Sequence, residues 1–128
     1  MIKKLITIIA LTFSIGAWAE DNDEAICKEF LKIEDMNKTF PRKIDETTEI
    51  IQISVNCDTT TIKYSKRILV DVSMFNEGWE ARKQRQHNQL HCNANGLTSN
   101  SGWTAMDVIA SKDYEYLTTL TTTPKDCK

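Results

Sequence analysis

Two histidines, His87 and His91, lie four residues apart in a segment with the composition of a helix. Residues at this spacing share a helix face, so both imidazoles could reach one metal ion. The segment reads HNQLH, and Asn88 stands where a zinc peptidase of the H-E-x-x-H type carries its glutamate base. Two interpretations stay open: a weak metal site of a small metal-assisted hydrolase, or surface histidines on a polar helix. We favour the second and expect neither a metal nor another cofactor.

The same segment carries a run of basic residues, Arg82, Lys83 and Arg85, on an otherwise acidic chain. Such a run can dock an acidic partner. More often such a run is the solvated face of a helix, and we favour that interpretation. These three residues are the candidate partner-binding residues of the sequence.

Other residues that could do chemistry have simpler explanations. Asp45, Glu46 and Glu49 could form a carboxylate pair, but turns and strand edges also collect acidic residues. Trp79 and Trp103 could form a platform for an envelope ligand, although large apolar residues more often belong to the core. The sequence contains no G-x-S-x-G elbow, no glycine-rich phosphate loop and no EF-hand. We therefore predict no catalytic residues and lean towards a protein that is not an enzyme.

Hydrophobic periodicity predicts the elements that would position these residues. Ile26, Phe30 and Ile33 recur at helical spacing, whereas Ile51, Ile53 and Val55 alternate as in a half-buried strand. The predicted elements are a helix at 21–37, a hairpin at 48–72, a helix at 75–92, a loop at 97–102 and a hairpin at 103–122. This order predicts an α+β fold, with a four-stranded, mainly antiparallel sheet and both helices on one face.

The first nineteen residues have the pattern of a secretory signal peptide. Lys3 and Lys4 precede an apolar run of about eleven residues, shorter than the roughly 20 that span a bilayer. Ala17 and Ala19 then match the small-x-small cleavage site. We predict cleavage after residue 19, a single domain over 20–128, no membrane anchor after cleavage, and a periplasmic or secreted location.

The mature chain would be acidic. Once Lys3 and Lys4 are removed, 14 basic residues remain against 18 acidic ones, a formal charge of −4. Nucleic-acid binding normally needs a basic face. We therefore expect no nucleic-acid partner.

All four cysteines follow the predicted cleavage site. In an exported chain they predict two disulfides, and three pairings are possible. The sequential pairing, Cys27 with Cys57 and Cys92 with Cys127, closes two loops of similar length. Each bond would contribute about 3.5 kcal/mol in the loop-entropy treatment. A zinc–thiolate site is the alternative, but the chain has no C-x-x-C pair.

Residues 37–48 have the form N-x-x-[apolar]-P-x-x-[apolar]-D-x-x-T, with Asn37, Pro41, Asp45 and Thr48 at the defined positions. This motif resembles that of a group of small exported bacterial proteins without a known activity. In that group the motif joins a first helix to a first strand, and a later cysteine and a near-C-terminal Asp-Cys recur. Here they correspond to Cys92 and to Cys127 with the residue before it, while the other two cysteines are additions. The resemblance implies a structural motif and no activity.

These observations favour a non-enzymatic exported protein that binds an envelope or secreted protein. An immunity or inhibitor protein, or an envelope-assembly accessory, would fit. The alternatives are the small hydrolase that would use His87 and His91, and an envelope ligand-binding module that would use Trp79 or Trp103.

Overall fold

A computed structural model describes residues 22–128 of the chain, so the predicted signal peptide lies outside the described residues. Within residues 22–128 the chain forms three α-helices and five strands, in the order helix, three strands, two helices, two strands. The helices are α1 (Asn22–Glu34), α2 (Trp79–Cys92) and α3 (Leu97–Ser101). The strands are β1 (Arg42–Lys43), β2 (Thr48–Asn56), β3 (Thr61–Ile68), β4 (Thr104–Ala110) and β5 (Tyr116–Thr122).

The five strands form one mixed sheet in the order β1-β2-β3-β4-β5. β3 and β4 are parallel, and the other neighbours are antiparallel. The expected four-stranded, mainly antiparallel sheet is therefore wrong, although the fold is α+β. The reason is the connection: α2 and α3 carry the chain from the end of β3 back to its start, so the next strand must run parallel to β3.

Two smaller expectations also need correction. Residues 97–102, expected as a loop, include helix α3, whose last turn ends at Gly102 in the left-handed conformation (φ +76°). The two-residue strand β1, at Arg42 and Lys43, pairs with Ile50 and Glu49 of β2. β1 follows Pro41, which cannot donate to a sheet, so only a short edge strand forms.

Both long helices pack on the same face of the sheet, which we call the helix face. α1 lies over β2, and α2 lies over β5. Ile62, Ala105 and Thr122 are aligned across β3, β4 and β5 and mark this face, because aligned residues of neighbouring strands point to one side. The opposite face carries Ser65, Val108 and Thr119, which are aligned across the same three strands.

Two apolar clusters fill the helix face. The larger one lies between α1 and the sheet, and Phe30 meets Trp103 edge to face at a centroid distance of 4.7 Å. The smaller one, Ile68, Ile109 and Leu120, lies near the other end of β3 and β4. Trp103 is fully buried, so it belongs to the core.

The structure pairs Cys27 with Cys57 and Cys92 with Cys127, the sequential arrangement. The first bond joins α1 to the β2–β3 turn, and the second joins the end of α2 to the residues after β5. Both disulfides therefore lie at one end of the sheet.

Gly96 lets the chain pass beneath the end of α2, because a Cβ there would lie 2.2 Å from the His91 carbonyl oxygen.

The motif at residues 37–48 makes local contacts to the backbone. The Asn37 carboxamide bonds to both backbone groups of Ile53, at 2.7 and 2.8 Å, and so joins the end of the first helical segment to β2. Asp45 accepts from the Thr47 amide at 2.8 Å within the β1–β2 turn. Both contacts are structural.

Candidate functional site

A polar layer separates the two apolar clusters on the helix face. Lys66 on β3 pairs with Asp107 on β4, with Nζ 2.7 Å from Oδ2, and the two side chains are 21% and 9% exposed. From above, α2 contributes His87 and His91, each only 4% exposed. The interpretation of both histidines as surface residues is therefore wrong. Residues 84, 87, 88 and 91 form the stripe of α2 that faces the sheet, and this stripe is polar.

His87 contacts the sheet through both ring nitrogens. Its Nδ1 lies 2.6 Å from the hydroxyl oxygen of Thr122 on β5. Its Nε2 lies 3.7 Å from Asp107 Oδ1, which is too long for a hydrogen bond. His87 Nε2 and Asp107 Oδ1 are both buried, and neither atom has a hydrogen-bond partner within the described chain.

A chain of hydrogen bonds determines which nitrogen of His87 carries a proton. The Thr121 backbone amide donates to Gln84 Oε1 at 3.0 Å, and Gln84 Nε2 donates back to the Thr121 carbonyl at 2.8 Å, so the carboxamide has one orientation. Gln84 Nε2 also donates to Asn88 Oδ1 at 2.9 Å, and the Thr122 hydroxyl donates to the same oxygen at 2.7 Å. With its proton committed, Thr122 can only accept, so His87 Nδ1–H is the donor.

In the neutral imidazole, Nδ1 then carries the proton and Nε2 is the acceptor. Nε2 is also the nitrogen that faces Asp107. Burial alone would raise the pKa of Asp107, but contact with His87 and the positive charge of Lys66 outweigh it and lower the pKa below its usual value. Asp107 is therefore a carboxylate at neutral pH.

Burial has the larger effect on the two neighbouring groups. It lowers the pKa of His91 to about 4, and the nearby His87 and Lys66 act in the same direction, opposed by Asp107. Burial, and secondarily the charge of Asp107, raise the pKa of the Tyr64 phenol well above its usual range. His91 and Tyr64 are therefore both neutral at neutral pH.

Thr122, His87 and Asp107 have the composition of a nucleophile–base–carboxylate triad. Their geometry does not suit that chemistry. Thr122 is fully buried, and its hydroxyl proton is donated to Asn88. His87 donates to the hydroxyl at Nδ1 and so cannot accept a proton from it there. The arrangement is a structural hydrogen-bond network around one ion pair, in which His87 Nε2 and Asp107 Oδ1 face each other without a hydrogen bond.

The residues of this polar layer are also unsuited to binding a metal ion. No group of three or more His, Cys, Asp or Glu side chains within residues 22–128 has a geometry that could hold one. His87 Nδ1 is engaged by Thr122, the Lys66 ammonium occupies one oxygen of Asp107, and Cys92 is in a disulfide.

The structure separates the remaining residues that the sequence singled out. Arg82, Lys83 and Arg85 are exposed on α2, and Arg82 donates to the Glu77 and Asn76 carbonyls at 2.9 and 3.2 Å. Trp79 is half-buried, with its ring 5.1 Å from that of Phe75. The candidate carboxylates Asp45, Glu46 and Glu49 do not converge on one site either. Asp45 accepts a hydrogen bond within its own turn, whereas Glu49 pairs with Arg67, with Arg67 Nε 3.5 Å from Glu49 Oε1.

A different surface emerges at the end of the sheet opposite the disulfides. We call it the hairpin end: the β1–β2 turn (44–47), the segment after β3 (69–75), and the β4–β5 turn with the first residue of β5 (111–116). Among the described residues, six large apolar side chains are exposed, and four of them lie at this end. These four, the hairpin-end surface, are Ile44 (41% exposed), Met74 (75%), Tyr114 (63%) and Tyr116 (67%).

The two tyrosines are held in defined positions. Tyr114 has a φ of +67°, unusual for a bulky residue, and its amide donates to the Ser111 carbonyl at 2.9 Å. The Arg67 guanidinium lies over the Tyr114 ring, 4.6 Å from its centroid. The Tyr116 hydroxyl lies 2.9 Å from that of Thr119. The sequence contains a signal of this surface in SKDYEY, which places two tyrosines at a turn.

The fold and disulfides define the class of the molecule: a small α+β domain cross-linked twice, as expected for an oxidising compartment. No helix among the described residues has the length and apolar character needed to cross a membrane. No protein-family model matches the chain, and no curated protein matches its sequence.

One solved structure is similar, that of a protein from Pseudomonas aeruginosa described as a "putative secreted protein". The TM-score is 0.60 at 13% sequence identity, over 87% of this chain and all of the other chain. At this identity the similarity shows a shared fold alone.

Proposed function

We propose that the chain is an exported, non-enzymatic protein that binds a partner protein in the periplasm or outside the cell, and that it does so through the hairpin-end surface. The observation that carries this proposal is the concentration of exposed apolar side chains, two of them tyrosines, at the end of the sheet away from the disulfides. Tyr and Arg are enriched among residues that dominate binding energy at protein interfaces.

The polar layer supports a non-enzymatic role. Its nucleophile is buried, its histidine donates to that nucleophile, and its carboxylate is paired with a lysine. An exported location is supported by the N-terminal signal pattern and the two disulfides.

The proposal can be tested by chemical crosslinking of the mature protein in an envelope fraction. Two variants are compared with the wild type. Tyr114→Asn/Tyr116→Ser removes the aromatic rings and uses asparagine where φ is positive, because asparagine tolerates that conformation. Lys83→Ala/Arg85→Ala is the matched control on α2. We expect one specific partner to be captured by the wild type and the control, and capture to fall at least tenfold with the tyrosine variant.

The three outcomes that contradict the proposal are distinct. Undiminished capture by the tyrosine variant would remove the hairpin end from the interface. Loss with the α2 variant alone would move the interface to the basic residues. Failure to capture any specific partner would count against a binding role. All four positions are exposed, so both variants should stay folded. In thermal unfolding the α2 control should match the wild type within about 0.5 kcal/mol. The tyrosine variant, which loses the Arg67 contact and the Thr119 hydrogen bond, should lose at most about 2 kcal/mol.

A further inference from the structure

The hairpin end has a strongly one-sided charge. Its three segments, 44–47, 69–75 and 111–116, contain five carboxylates and a single ammonium group, that of Lys112. All five carboxylates belong to exposed residues: Asp45, Glu46, Asp71, Asp113 and Glu115. The segments that carry the hairpin-end surface therefore also carry an excess of exposed carboxylates, which we call the acidic rim.

Basic groups also border this rim. Lys43 is exposed on β1 next to Ile44, and Arg82 donates to the Asn76 and Glu77 carbonyls just after segment 69–75. Arg67 is engaged by Glu49 and by the Tyr114 ring. The exposed run of Arg82, Lys83 and Arg85 belongs to α2, outside the hairpin end. Five exposed carboxylates against Lys112, with Lys43 and Arg82 at the border, leave the hairpin end with a net negative charge.

Two of the five carboxylates also have a structural role. Slight burial would raise the pKa of Asp45, but hydrogen bonds from Thr47 and Thr48 outweigh that effect and lower the pKa. Hydrogen bonds from Ser73, with a smaller contribution from Lys112, lower the pKa of Asp71. The side chains of Glu46, Asp113 and Glu115 make no hydrogen bond within residues 22–128, so they can meet a ligand without loss of a native contact.

We propose that the hairpin-end surface binds a basic polypeptide, one that presents lysine or arginine side chains around an apolar or aromatic centre. Tyrosine and methionine provide an adaptable apolar patch, and tyrosine faces also accept cations. The carboxylates of the acidic rim attract such a partner and disfavour an acidic one. This inference rests on the proposed function and specifies the chemistry of the partner.

The test is a selection of peptides from a random linear library displayed on phage, with the mature wild-type protein as bait. A second selection uses Tyr114→Asn/Tyr116→Ser as bait and identifies peptides that do not need the surface. We expect peptides specific to the wild type to be rich in Lys or Arg together with apolar residues. Synthetic versions are then titrated against the wild type and against Glu46→Gln/Asp113→Asn/Glu115→Gln.

The charge variant should bind the peptides at least fivefold more weakly at low ionic strength, with a smaller difference at high salt. Neutral or acidic peptides that still need the tyrosines would overturn the basic partner and leave the binding surface intact. Peptides that bind both baits equally would overturn the surface itself. Equal affinity of the charge variant and the wild type for a basic peptide would also reject the inference.

Discussion

At the scale of single residues, the most informative finding is a buried polar stripe where an apolar one is usual. His87, His91, Asn88 and Gln84 face the sheet from α2, and each has a polar or aromatic neighbour there. Burying polar groups is tolerated when hydrogen bonds replace those to water. The i, i+4 spacing of the histidines was visible in sequence, but their burial was not. It depends on Thr122 and Asp107, which lie in another part of the chain.

Burial of His91 predicts a loss of stability in mild acid. Its pKa is about 4 in the folded protein and 6.5 when exposed. A histidine with a lowered pKa stabilises the fold fully above pH 6.5, and this contribution is lost as the pH falls towards 4. The loss approaches about 3 kcal/mol. Chemical denaturation between these pH values should show it.

The matched variant is His91→Gln, which cannot titrate. Its unfolding free energy should therefore change less between pH 6.5 and pH 4 than that of the wild type. Parallel pH profiles for the variant and the wild type would show that His91 is not the group responsible.

At the scale of elements, α2 protects the edge of the sheet. β5 is the last strand, and an exposed strand edge is a template for aggregation. Gln84 meets the outward amide and carbonyl of Thr121 as a neighbouring strand would. A single glutamine side chain therefore both caps the edge and begins the hydrogen-bond chain that orients His87.

Gln84→Ala should cost about 2 kcal/mol in unfolding free energy, because it leaves both backbone groups of Thr121 and the Asn88 carboxamide with fewer partners. Gln86→Ala, two residues along the same helix and exposed, is the control and should change stability by less than about 0.5 kcal/mol. Guanidinium unfolding monitored by circular dichroism measures both. Equal effects of the two substitutions would contradict a special role for Gln84.

The positions of the elements were largely predictable from sequence, and their arrangement was not. Alternation of apolar residues places β2 within the first predicted hairpin, and the periodicity of Ile26, Phe30 and Ile33 places α1. The parallel pairing of β3 with β4 joins residues about 43 apart, such as Thr61 and Thr104, and no local pattern encodes it. The length of the helical connection was the available signal, since a return crossover makes neighbouring strands parallel.

At the scale of the whole molecule, the chain has two unlike ends. One end is closed by both disulfides, and the other presents exposed tyrosines and methionine together with the acidic rim. No residue in the sequence marks this polarity by itself. It appears only when strand order brings three separate segments, 44–47, 69–75 and 111–116, to the same end of the sheet.

The central claim is that the hairpin end is where the partner binds, and site-specific photocrosslinking in living cells tests it most directly. A benzophenone amino acid replaces Tyr116 in one strain and Leu90 in the other. Leu90 is a matched control because it is 57% exposed but lies on α2. We predict a discrete crosslinked species from position 116 and none from position 90. Crosslinking from position 90 alone, or from neither position, would contradict the account.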